Sequence, residues 1–370
     1  MAADDRAPLA ADRAPLAADG APLAADLEMD VDRWDRFVAA SAQPSYLQST
    51  AWAAIKRGNG WSALRVAADG PAGPVAGQIL VTRPRGIPWG MGYLPRGPVA
   101  GAALDGQALD SFTRRVRDTA RRQRLGWVRM EPEAADTADL RAALAASGWI
   151  PAPHVQPDRS RIIDLVADEA AILAGMHRKC RQSIAKSERL GVRVSEAGEE
   201  RLAEFYAIHT DAMRRAGIAA RAERTYRDMW QELAPRGMAR LLFAEDGATG
   251  TPVATLFLVS CGPRVADLYG GTTADGGRLR ANYLLKWEAI RRSRDAGFQQ
   301  YDLWGLPRAG IAQFKSGFGG EEIDYVGAWD LITDRIGHRV LRAGEIGRER
   351  YRRWRYRDVH RPDAPEPGED

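Results

Sequence analysis

One stretch of this chain occurs twice. PVAGQILVT, Pro74 to Thr82, returns as PVATLFLVS, Pro252 to Ser260. Downstream of each copy a helical pattern closes on a glycine followed by an aromatic: Arg124-Leu125-Gly126-Trp127 in the first, Asp295-Ala296-Gly297-Phe298 in the second. The two spacings agree to within several residues. An internal duplication restricts the fold strongly, because both copies must build the same kind of unit. Each unit reads as strands, then a helix, then a strand, which gives a mixed α/β layer rather than a sandwich. A length of 370 residues suits two such units, each with its own core.

In the first unit, Val31 to Ser41 reads as a helix, and a Ser/Thr N-cap at Gln48-Ser49-Thr50 opens a second that ends at Gly58-Asn59-Gly60. Strands follow at Ser62 to Ala68, Val75 to Thr82 and Trp89 to Leu94, then a basic amphipathic helix from Leu109 to Gln123. A strand at Trp127 to Met130, a helix at Asp136 to Ser147 and a strand at Ser160 to Asp164 complete it. In the second unit, helices are expected at Leu202 to Arg215, Thr225 to Leu233 and Ala281 to Ala296. Strands are expected at Ala239 to Glu245, Pro252 to Ser260, Arg264 to Tyr269 and Tyr301 to Trp304. That order is similar to the acyl-transfer fold of the GNAT class, present twice. The expected domains are 27–170 and 171–347. Residues 1–26 repeat APLAAD three times; a proline every seventh residue excludes a coiled coil, so a disordered tail is expected. Residues 348–370 are expected to form an arginine/aromatic helix and a frayed, proline-rich end.

Composition removes several function classes. No run of about 18 apolar residues exists to span a bilayer, and the acidic, proline-punctuated start is not a signal peptide, so a cytoplasmic protein is expected. Cys180 and Cys261 give neither a disulfide framework nor zinc spacing, and the five histidines are isolated, so no metal is expected. No serine sits in a nucleophile-elbow pattern, and no phosphate-binding Walker loop is present. Net charge is only +4, but the basic residues cluster. Arg178, Arg181, Lys186 and Arg189 lie on one face of a helix between the units, with Gly191 as its C-cap, and suit a phosphate-bearing partner. Arg348 to Arg357 interleaves arginines with Tyr351, Trp354 and Tyr356.

The stretch from Tyr301 to Gly327 carries the strongest chemical signal. Its Phe314-Lys315 pair stands immediately before Gly317, Gly319 and Gly320, which reads as a lysine in a flexible loop able to present a point charge. In the first unit Lys56 lies one helical turn after Trp52, where it can bury its stem and offer its head to an anion. Tyr93 and Arg96 sit on a rigid turn suited to lining a cleft. Glu131, at a strand's C-terminal end, is the candidate proton acceptor. Arg221 and Arg224, near Tyr226, form a candidate anion clamp. An acyl-CoA enzyme needs small residues in a loop opening the long helix, and Ala281 and Tyr283 fit that pattern poorly.

Taken in order, QSTAWAAIK, YLPRGPV, RKCRQSIAKSERLGV, LYGGTT at Tyr269, YDLWG and FKSGFGG resemble the FemX/FemAB family of aminoacyl-tRNA-dependent peptidyltransferases, which build peptidoglycan interpeptide bridges. The resemblance covers roughly Leu27 to Tyr351 and implies two GNAT-like domains, here without a coiled-coil arm. It implies that Lys56 and Arg221 hold the diphosphate of a lipid-linked or UDP-linked muropeptide precursor, with Tyr269 lining the peptide site. Phe314 and Lys315 would meet the aminoacyl ester and the tRNA end, and the basic helix (Arg178, Arg181, Lys186) would contact the tRNA. No cofactor is implied. A monomer is expected, with a contact at the inner membrane face conceivable. Other readings are a tRNA-dependent ligase acting on a secondary metabolite, an acyl-CoA acetyltransferase, and a non-enzymatic basic binding module.

Overall fold

The computed structural model describes residues 24–306 and 309–344. Two seven-stranded sheets carry the architecture. The first is built from β1 (Ser62–Gly70), β2 (Gly73–Thr82), β3 (Gly90–Pro95), β4 (Val99–Ala100), β5 (Leu125–Glu131) and β6 (Ile150–Ala152). The second takes β7 (Arg159–Asp164), β8 (Arg193–Ala197), β9 (Ala239–Glu245), β10 (Pro252–Cys261), β11 (Arg264–Thr272), β12 (Gln300–Asp302) and β13 (Glu321–Asp324). The last strand, β14 (Ala328–Ile332), returns to the first sheet.

The duplication is visible in the strand order. β1-β2-β3 form an antiparallel meander, and β3 then pairs parallel with β5. β9-β10-β11 repeat the meander, and β11 pairs parallel with β12. The crossover helices are Gly106–Arg122 and Ala281–Asp295. These are two GNAT-like domains in tandem, and no coiled-coil arm interrupts the described residues. The two PVA-starting segments are β2 and β10, second strands of their meanders and nearly continuously buried.

The chain crosses between sheets in a way the local pattern does not announce. β14 lies between β5 and β6, whereas β7 lies between β12 and β13. Each domain thus takes the strand after its parallel pair from the other half of the chain, so the sheets do not divide at residue 170. Local chemistry explains why β14 is accepted: Trp329 and Leu331 alternate into the first-domain core, while Asp330 pairs with Arg129 of β5 at 2.7 Å. Trp34, Phe37, Leu47 and Trp52 of the first half share one core with Phe205, Tyr226, Phe243 and Phe257 of the second. That shared core holds the two domains in fixed relation, which matters for a site assembled from both.

Most expected elements occur within two or three residues of their expected ends. Ser49 caps Thr50–Gly58 by accepting from the Trp52 N–H at 3.2 Å, and Gly191 leaves the basic helix Arg178–Arg189 at φ +77°. Three expectations change. The helix Ala24–Met29 starts inside the segment assigned to the disordered tail, because Leu27 packs fully into the shared core. The strand at Tyr301 ends at Asp302. The segment around Phe314-Lys315 is a helix, Ala309–Ser316, rather than a flexible loop. The glycines after it serve the turn back towards β7: Gly319 and Gly320 have φ of +78° and +77°, and a Cβ on Gly320 would stand 2.5 Å from the Ile162 carbonyl oxygen. The arginine/aromatic run and both outer tails lie outside the described residues.

Candidate active site

The site begins where the second sheet comes apart. β11 pairs with β12 only over Arg264–Ala266, yet it continues to Thr272, and a bulge opposite Phe257-Leu258 re-aims Tyr269. β12 meanwhile turns away. Trp304 and Gly305 both adopt positive φ, +49° and +74°. For a tryptophan that conformation costs roughly 1–3 kcal/mol, so other contacts must hold it. The turn leaves the carbonyls of Trp304 and Gly305 without strand partners. The ammonium of Lys315 donates to both, at 2.7 and 2.8 Å.

Lys315 is therefore fixed rather than mobile. Burial pushes its pKa down to about 8; Asp267 and Asp302 oppose that shift and Lys286 adds to it. Lys286 is itself paired with Asp267 in the core, and the Tyr301 hydroxyl donates to Asp267 at 3.2 Å. Phe314, the preceding residue, is gripped edge-on by Tyr283 and Phe318, with ring centroids at 5.0 and 5.4 Å. A cation held in a half-buried, pre-formed position can stabilise an oxyanion without reorganising.

On the first-domain side, Lys56 lies over the Trp52 ring at 4.9 Å. Burial lowers its pKa, and the like charge of Arg221 lowers it further. Arg221 is exposed, and its field also reaches Tyr46, Tyr226 and Tyr269. Lys56, Arg221 and Tyr269 are thus gathered in one region across the domain boundary, as two cations and a phenol suited to an anionic ligand. Tyr269 packs edge-on against Tyr226 at 5.0 Å. Tyr46 connects the two ends, with its ring 5.5 Å from Trp52 and 5.7 Å from Trp304. A continuous aromatic wall therefore runs from the Lys56 region to the residue whose carbonyl holds Lys315.

The remaining candidates have internal duties. Glu131 is buried, and its oxygens accept from the N–H groups of Val155 and Gln156 at 2.8 and 2.7 Å and from the Tyr93 hydroxyl at 3.3 Å. Burial raises its pKa, but the geometry is that of a latch on residues 155–156. Tyr93 also accepts from the Gln156 amide, so the pair braces one wall. Arg96, itself at φ +51°, stacks over Tyr325 and Trp304 at 4.3 and 5.4 Å and donates to the Pro157 carbonyl. It supports Trp304 from beneath. In the basic helix, Arg178 and Lys186 are exposed. Arg181 instead folds back onto the carbonyls of Ala174 and Met176, closing the helix Glu169–Ala174. Arg224 bonds Asp228 and the Gly58 carbonyl, so it ties the helix Thr50–Gly58 to Glu223–Leu233 rather than clamping an anion. Sequence reasoning missed Tyr46 and Trp304. The Trp-Gly pair at the end of a short strand was the available signal for the second.

Comparisons with known proteins bear on the fold and on what the chain is similar to. Residues 29–143 match the FemAB family, and residues 174–316 match an acetyltransferase (GNAT) domain. The chain is 25% identical over 223 residues to the lipid II:glycine glycyltransferase of Staphylococcus haemolyticus (strain JCSC1435), covering 57% of this chain and 53% of that one. It is 23% identical over 223 residues to the same-named protein of Staphylococcus aureus (strain MRSA252), covering 57% and 52%. The chain spans about half the length of these curated relatives. Its fold matches the crystal structure of FemX with a TM-score of 0.77, over 84% of this chain and 98% of that one, at 17% identity. The first half of the chain is thus similar to the FemAB family, the second half to a GNAT domain, and the fold across both is the one seen in FemX.

Proposed function

We propose that this protein transfers an amino acid, glycine first among the candidates, from aminoacyl-tRNA to the side-chain amine of a peptidoglycan precursor's stem peptide. The observation that carries the reading is the Lys315 ammonium, held by two carbonyls at the splayed end of β11 and β12 and joined by an aromatic wall to Lys56 and Arg221. The naming of the staphylococcal relatives for lipid II and glycine supports the choice of acceptor and donor.

The reaction asks little of the protein beyond placement. The acceptor amine, unprotonated, attacks the ester carbonyl carbon; a C–N bond forms and the negative charge collects on the carbonyl oxygen. Collapse breaks the ester C–O bond, the ribose hydroxyl leaves with a proton, and the amine nitrogen gives one up. The ester is already activated, so positioning supplies much of the rate. Lys315 stabilises the oxyanion, Phe314 packs beside it, and Lys56 with Arg221 anchors the diphosphate of the precursor. Glu131 is bound up in its latch and takes no proton. Arg178 and Lys186 offer exposed charge to tRNA phosphates.

Incubating the protein with a pool of radiolabelled aminoacyl-tRNAs and either lipid II or the UDP-linked muropeptide tests this directly. The expected product is a precursor heavier by one residue; no product from any charged tRNA overturns the reading. Lys56→Ala and Arg221→Ala are each expected to raise KM for the precursor by about fivefold or more with kcat within about twofold, the signature of lost uniform binding. A fall in kcat alone would contradict their anchoring role. The GNAT-domain match keeps acyl-CoA in view as a donor. In the segment leading into the helix Ala281–Asp295, Arg278 forms a surface ion pair with Asp275, and Tyr283 packs on Phe314 where that chemistry needs a small residue. Calorimetric titration with coenzyme A is expected to give no binding heat.

A further inference from the structure

Beneath Lys315 lies a small buried network to which the proposed chemistry assigns no role. Asp302 is fully buried. Its Oδ1 accepts from the Trp304 N–H at 2.8 Å and from the Ser160 hydroxyl, while its Oδ2 has no hydrogen-bond partner among the described residues. The Ser160 oxygen accepts in turn from the Gly305 N–H at 3.2 Å. These contacts act on the two residues whose carbonyls hold the ammonium, and both residues have positive φ. A tryptophan in that conformation reverts to negative φ unless its N–H is held, and the reversion would swing its carbonyl away. We infer that Asp302 and Ser160 are positioning residues for Lys315, locking the Trp304-Gly305 turn so that its two carbonyls set the place of the ammonium.

The strand exchange acquires a purpose here. Ser160 belongs to β7, which comes from between the domains and lies beside β12. The Leu303 N–H donates to the Arg161 carbonyl at 2.9 Å, so β7 grips the turn at two successive residues. The indole of Trp304 is braced from the first domain by Tyr46 and Arg96. The position of the second domain's lysine is therefore set by a strand and two side chains supplied from the first half of the chain.

The inference rests on the functional reading only where it speaks of turnover, and its main test needs no activity. Competitive acetylation of the intact protein with acetic anhydride over a pH series, followed by mass spectrometry, gives the labelling rate of Lys315 per unprotonated amine relative to that of exposed Lys186 as an internal standard, so that accessibility is read apart from any change in ionisation. Asp302→Ala and Ser160→Ala are expected to raise that ratio by about fivefold or more, because the released ammonium reaches solvent. Asp302→Asn keeps an acceptor for both donors and is expected to stay within about twofold of the wild type, which separates positioning from charge. In the transfer assay the two alanine variants are expected to lose about tenfold or more in kcat with KM little changed, and Asp302→Asn to retain it. Should Asp302→Ala fail to fold, Ser160→Ala decides alone, since it removes one hydroxyl and no charge. Two results overturn the inference: Lys315 labelling within about twofold of wild type in a folded alanine variant, or Asp302→Asn labelling as fast as alanine. A wild-type protein that transfers nothing would overturn the functional reading instead and leave the labelling result standing.

Discussion

Lys315→Met is expected to lower kcat for aminoacyl transfer by at least about tenfold, towards the hundredfold typical of removing one pre-placed oxyanion donor, with the protein still folded. Methionine matches the unbranched stem of lysine without its charge. Two opposing effects act on stability. The variant loses a desolvated cation, which favours the fold, and strips a donor from the Trp304 and Gly305 carbonyls, which costs roughly 1–3 kcal/mol. Thermal melts should therefore shift modestly while turnover collapses. Acidity supplies a sharper readout. Burial brings the Lys315 pKa down to about 8, so the ammonium is the prevailing form below that pH and is lost above it. The acceptor amine loses its proton as pH rises in wild type and variant alike, so that effect cancels when the two are compared. The wild-type-to-Met ratio of kcat should be flat in acid and fall as pH rises through about 8. A ratio that climbs through this range would make neutral Lys315 a proton acceptor, and a ratio near one throughout would remove it from the chemistry.

How far this site could be read from the sequence depends on how local each cause is. The repeated β2 and β10 segments and their crossover helices are set by hydrophobic periodicity and glycine stops within about a dozen residues, and they stood where expected. The gathering of Lys56, Arg221 and Tyr269 followed from family resemblance rather than from any local rule. Strand exchange had no local signature. β14 reads as a short apolar run, and nothing near Trp329 says that its partners are Met130 and Pro151. Arg181, Arg96 and Glu131 were legible as charges, but their partners are carbonyls, rings and N–H groups that tertiary packing supplies. The helix Ala309–Ser316 was hidden by its glycines, which shape the turn after it. A lysine's chemistry is intrinsic and can be read from the residue type, whereas its placement is made by residues far away in sequence.

The second large effect concerns that placement. Glu133 follows β5 in the first half, and Arg264 opens β11 in the second; their side chains meet with exposures of 2% and 9%. The Tyr325 hydroxyl donates to the same carboxylate at 3.3 Å, and Arg264 also donates to the Gln300 side chain at 3.0 Å. Burial alone would lower the Arg264 pKa, but Glu133 foremost and Asp302 after it hold the guanidinium above its ordinary value. An arginine does not escape burial by losing its proton. Glu133→Leu therefore strands a cation in the interior, and its expected cost is roughly 3–5 kcal/mol of unfolding free energy in urea, towards the lower figure because Asp302 remains nearby. Glu133→Leu combined with Arg264→Met should recover most of that loss, since two packed apolar side chains replace a pair whose attraction is offset by desolvation. A coupling energy of at least about 2 kcal/mol from the double-mutant cycle is the expected measure. A single variant costing under about 1 kcal/mol would mean that water reaches the guanidinium and that the pair is not the seal between the two halves. Because Arg264 starts the strand whose departure from β12 opens the site, the same substitution should also lower kcat in the folded protein, whereas the double variant should restore stability first and turnover only so far as β11 keeps its line.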